Sequence, residues 1–63
     1  MQRYKELFEE RAAIMEFDGK MSRDEANLKA KEEVLAIYRK DGGTKETDLN
    51  FSLMTLIITN NKQ

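Results

Sequence analysis

Apolar positions along the first half of this chain repeat with a helical period. Tyr4, Leu7, Phe8, Ala12, Ile14 and Met15 recur at three- and four-residue steps, leaving Lys5, Glu6, Glu9, Glu10 and Glu16 mostly on the other side. That spacing predicts a helix over 3–18. Gly19 is expected to end it, since a residue without Cβ can take the left-handed conformation that a helix C-cap commonly requires. Ser22 fits the N-cap of a second helix: its hydroxyl can accept from the Glu25 N–H while the Glu25 carboxylate reaches back to the Ser22 N–H. Asp24 and Glu25 place negative charge in the first turn, where the helix dipole favours it.

The second helix is expected from about Arg23 to Lys40, or 22–40 with its cap. Ala26, Ala30, Val34, Ile37 and Tyr38 form one apolar stripe flanked by Leu28 and Leu35. Alanines at 12, 13, 26 and 30 gather towards the turn, where small side chains let two helices approach. Larger residues fill the open end. Arg39 and Lys40 suit the negative helix pole, and Gly42-Gly43 stop the element. Helices joined by so short a turn pack antiparallel, as a hairpin.

A polar loop, Asp41 to Asp48, precedes an uncharged run from Leu49 to Thr59. As a helix over 48–59, capped by Thr47 or Asp48, this run turns Leu49, Leu53, Leu56 and Ile57 to the hairpin. As a strand, it puts Phe51, Leu53, Thr55 and Ile57 on one face, but such a strand has nothing to pair with inside the chain. Both readings stay open, the helix being preferred. The expected fold is mainly α: one domain over 1–63, an antiparallel hairpin plus a third C-terminal element.

Composition narrows the function more than it defines it. A chain of 63 residues has room for a small core worth about 3–5 kcal/mol, so association is the natural reinforcement. The chain has no Cys and no His, which removes disulfides, ordinary zinc sites, thiolate nucleophiles and the usual proton shuttle. Adjacent carboxylates, Glu9/Glu10 and Glu32/Glu33, point around their helices and form no converging dyad. Ser22 is read as a cap, and Ser52 has no evident base beside it. No enzyme activity and no cofactor are expected. Eleven basic residues stand against 12 acidic, which gives no long-range attraction for nucleic acid or anionic lipid. Arg23, Asn27 and Lys31 do share one face of the second helix, but Glu25, Glu32 and Glu33 interrupt its positive charge. The apolar run is too short for a membrane span, and the amino terminus turns charged at once, so a bacterial, cytoplasmic setting is the expectation.

Two resemblances add candidates. Glu16-x-Asp18-Gly19-x-Met21-Ser22-x-x-Glu25 resembles the later part of an EF-hand loop. The resemblance implies calcium ligands at Glu16, Asp18, the Lys20 carbonyl, Ser22 through water and Glu25. The loop's first position, normally Asp, falls here on Ile14, so the capping role of Ser22 and Glu25 is preferred and no metal is expected. Residues 9–35, including Glu10-Arg11-Ala12-Ala13-Ile14-x-Glu16-x-Asp18-Gly19-x-x-Ser22-Arg23-x-Glu25-Ala26, resemble a short helical-hairpin segment of bacterial phage, plasmid and integrative-element proteins of replication type. Lys20 stands where those proteins usually carry a second Gly. The resemblance implies a mobile-element origin and no chemistry of its own.

The functional expectation is therefore a protein-interaction or self-association module, a homo-oligomer or the partner of another protein. Core or interface residues are expected at Tyr4, Phe8, Phe17, Tyr38, Phe51, Leu53 and Ile57, and Leu53→Asp should disrupt folding or assembly. An accessory nucleic-acid role is the alternative, and a calcium-responsive hairpin the lesser one.

Overall fold

Three helices account for the architecture of the computed structural model, which describes residues 2–60. They are α1 (Gln2–Phe17), α2 (Arg23–Lys40) and α3 (Glu46–Asn60), and no strand occurs among the described residues. The chain is mainly α, with α2 in the middle, packed against α1 on one side and α3 on the other. The third element is a helix, so the strand alternative is set aside. Its Leu49, Leu53 and Ile57 recur at four-residue steps and all turn to the core, which a strand's two-residue alternation would have split between faces.

The core is assembled from all three helices: Phe8 and Ala12 from α1, Ala30, Val34, Leu35 and Tyr38 from α2, and Leu49, Leu53 and Ile57 from α3. Tyr4, Leu7, Met15, Met54 and Leu56 pack around its edge. Of the alanines near the turn, Ala26 and Ala30 are fully buried and Ala12 nearly so, while Ala13 is exposed. At the other end, Tyr4 and Tyr38 meet edge to face with ring centroids 5.1 Å apart. Arg11 and Glu33 add a half-exposed ion pair of 2.8 Å between α1 and α2.

The helix junctions follow the sequence signals in part. Ser22 caps α2 as expected, its Oγ accepting from the Glu25 N–H at 3.2 Å. The Glu25 carboxylate does not reach the Ser22 N–H; it lies 3.5 Å from the Ser22 hydroxyl instead. The end of α1 differs from expectation. The left-handed residue is Lys20, with φ of 55°, not Gly19. Gly19 is needed for a different reason: a Cβ there would lie 2.8 Å from the Met15 carbonyl oxygen. The Gly19 N–H donates to the Ile14 carbonyl and the Met21 N–H to the Met15 carbonyl, so the turn closes one residue later than a glycine cap would.

After α2, the chain makes a Schellman turn. Gly42, with φ of 86°, donates to the Arg39 carbonyl, and Gly43 donates to the Tyr38 carbonyl. A Cβ on Gly43 would collide with the Tyr38 ring. That ring's hydroxyl accepts from the Lys45 N–H at 2.8 Å, and α3 begins at the next residue. Thr47 and Asp48 consequently sit inside the first turn of α3 and do not cap it.

Candidate interaction surface

The outer face of α3 is the least ordinary surface of the molecule. From Leu49 onward α3 carries no charged side chain, and the apolar face of a helix normally finds cover. Here only one side is covered: Leu49 and Leu53 are completely buried, while Phe51 is 75% exposed and Ile58 is 59% exposed. Phe51 and Ile58 lie seven residues apart, so they stand one above the other on the same stripe. Thr55 lies between them. Its hydroxyl donates back to the Phe51 carbonyl at 3.0 Å, which satisfies the donor within the helix. No charged side chain occurs between Leu49 and Asn60. The result is an uncharged stripe along one helix among the described residues, with Asp48 at its amino-terminal end.

The expected core and interface residues divide accordingly. Phe8, Tyr38, Leu53 and Ile57 are core, and Tyr4 is half-buried against Tyr38. Leu53→Asp therefore probes folding, not assembly, because Leu53 meets only the interior. Phe51 and Phe17 lie outside the core, each 75% exposed. Ile14 and Leu28, placed on the apolar stripes by their spacing, are exposed at 58% and 47%. The α1 face that carries Ile14 and Phe17 differs from that of α3, because Glu10 shares it by helical register.

A groove of about 360 Å³ lies between α1 and the start of α2. Phe8, Ala12, Ala13 and Asn27 line it, with Glu9, Glu16 and Arg23 at the rim. Sequence reasoning placed Asn27 on one face with Arg23 and Lys31 and missed its burial. Asn27 is only 4% exposed, and its Nδ2 has no hydrogen-bond partner. A polar residue one step from Ala26 carries no sequence signal of burial. Its position also dismantles the DNA-reading face formed with Arg23 and Lys31: a buried amide cannot reach a base edge, and Arg23 lies 3.8 Å from Glu16.

The loop residues resembling an EF-hand are likewise engaged elsewhere. Glu16 faces Arg23, and Ser22 serves as the cap. Among the described residues, no three acidic side chains gather as a metal site would need. Among the described residues, no helix is long and apolar enough to cross a membrane. Of the titratable groups, Tyr4 stands out: its hydroxyl donates to Asp41 Oδ2 at 2.9 Å, and this bond, with some burial, holds its pKa above the ordinary tyrosine value.

No family model matches the chain, and no curated protein or solved structure matches it.

Proposed function

We propose that the chain is a non-enzymatic interaction module that associates with itself through the outer face of α3. The observation that carries this reading is the uncharged stripe of Phe51, Thr55 and Ile58, left open by a helix whose opposite side is fully packed. Self-association suits it because a face without charge meets no repulsion from its own copy. The α1 face at Ile14 and Phe17 carries Glu10 by helical register, so covering it would take a charge out of water.

Magnitudes place the association at the weak end. From their exposures, Phe51 and Ile58 leave roughly 250 Å² of apolar surface uncovered per protomer. A symmetric pair covers twice that, worth on the order of 12 kcal/mol at about 25 cal/mol per Å². Association itself costs about 4–15 kcal/mol, so the dissociation constant falls at about 1 μM or weaker.

The setting within this reading is the bacterial cytoplasm, as a component of a mobile genetic element. What supports it is the resemblance of residues 9–35 to replication-type hairpin segments, together with a chain free of Cys. The non-enzymatic part rests on the lack of His and Cys and on carboxylates that do not converge among the described residues.

The test is the thermal midpoint measured at low and high protein concentration. A self-associating fold melts higher when concentrated, by mass action. Phe51→Lys should abolish that dependence while leaving helicity intact, and Phe17→Lys, an equally exposed aromatic on α1, should preserve it. A wild-type midpoint that ignores concentration refutes self-association through α3.

A further inference from the structure

We infer that the helical hairpin carries a release point at its turn. The end of α1, the connecting turn and the start of α2 open together, hinged at Ala12 and Ala30, while the rest of the core stays closed. The device belongs to α1 and α2 and stands whether or not α3 associates.

Burial gives the first reason, because the two ends of the α1–α2 contact are built from side chains of different size. Phe8 and Val34, among the largest fully buried side chains, lie on the far side of Ala12 and Ala30 from the turn and share one cluster with Leu49 and Leu53. On the turn side of that pair the fully buried apolar side chain is Ala26, and Met15 is only half-buried. Hydrophobic stabilisation scales with the apolar area removed from water, so parting the turn end gives up little of it.

Unmet polar demand gives the second. Asn27 is buried on the turn side with no partner for its Nδ2, and opening returns that donor to water. The groove beside it shows that α1 and the start of α2 do not close fully on each other here. The ion pair across this end, Arg23 to Glu16, spans 3.8 Å between partly exposed side chains, a contact that holds little.

The backbone gives the third. Lys20 is held at φ of 55°, a conformation that is released as the turn opens. The bonds that oppose release are the Ser22 cap and the turn's own links, Gly19 N–H to the Ile14 carbonyl and Met21 N–H to the Met15 carbonyl. The opposite end is tied across longer stretches of chain. Tyr4 packs edge to face on Tyr38 and donates to Asp41, and the Tyr38 hydroxyl accepts from the Lys45 N–H.

Native-state hydrogen exchange in low urea, at low protein concentration, tests the release point. Amides of residues 13–17 and 26–29 should share one opening, protected about tenfold less than those of Val34, Leu35 and Leu53, and with a weaker urea dependence because less surface is exposed. Lys20→Gly should slow exchange on both arms by about fivefold, including residues 26–29 beyond the turn. Tyr4→Phe, at the tied end, should speed exchange at Val34 and Leu53 and leave both arms unchanged. Equal protection and equal urea dependence across the arms and the core would overturn the inference. An effect of Lys20→Gly confined to residues next to position 20 would overturn it too, since that is ordinary fraying of two separate helix ends.

Discussion

Replacing Asn27 by Leu should stabilise this protein, and the size of the effect follows from its surroundings. The Asn27 side chain is 4% exposed and its Nδ2 has no partner, so folding removes a donor from water without returning a bond. That omission costs about 1–3 kcal/mol. It is a large fraction of the roughly 3–5 kcal/mol that a core of this size supplies. Leucine removes the unsatisfied donor and adds apolar burial against Phe8, Ala12 and Ala13. Its extra bulk would cost about 1–3 kcal/mol in a sealed core. Asn27 instead borders a groove of about 360 Å³, so the larger side chain has room to relax. A net gain of about 1–2 kcal/mol is expected, which in a chain this short raises the thermal midpoint by roughly 5–15 °C. Thermal and urea unfolding followed by circular dichroism, at one low protein concentration, measure it. Asn27→Ala, which removes the amide without filling the space, should fall between wild type and Asn27→Leu. A midpoint for Asn27→Leu at or below wild type would refute the reasoning, and would mean that the amide is satisfied by ordered water in the groove.

Three further outcomes follow from the junctions. Lys20→Gly should stabilise by about 1 kcal/mol, because a side chain in the left-handed region costs roughly that much and glycine adopts it freely; equal or lower stability in urea unfolding would contradict this. Ser22→Ala should lose about 1 kcal/mol with the α2 cap, while Ser22→Asp should retain most of it, as read by the same unfolding curves. Tyr4 should ionise above the ordinary tyrosine value of 10.0 in a tyrosinate absorbance titration. With its folded pKa raised, the contribution of the Tyr4–Asp41 bond is complete below the unfolded value and lost as pH rises through the folded one. Tyr4→Phe should therefore flatten the alkaline decline in stability, and an unchanged slope would contradict it.

Local signals were legible in the sequence where local contacts decide the structure. The Ser22 cap needs only Glu25, three residues away, and the Gly42-Gly43 stop needs only the last turn of α2. Boundaries set by distant contacts were not legible. α3 starts at Glu46, ahead of the expected caps Thr47 and Asp48, where the Lys45 N–H is held by the Tyr38 hydroxyl from another helix. Gly19 marks the end of α1, but the left-handed strain falls on Lys20, since the turn is shaped by the Met15 carbonyl as well as by backbone freedom. Spacing also could not divide the apolar residues of α3 between core and surface. With no charged residue between Leu49 and Asn60, the pattern offers little polar contrast to set the helix's orientation, and packing in the shared core decides that Leu53 goes in and Phe51 stays out. Asn27 was invisible for the converse reason: nothing about an asparagine beside Ala26 announces that α1 closes over it.

The most direct measurement of the central claim is solution mass by size-exclusion chromatography with light scattering, over at least a tenfold concentration range, on the wild type and on Phe51→Lys. Self-association through α3 requires the wild-type mass to climb from monomer towards dimer as concentration rises, and the Phe51→Lys protein to remain a folded monomer throughout. A wild-type chain that stays monomeric at the highest concentration, or a Phe51→Lys variant that assembles as the wild type does, would contradict it.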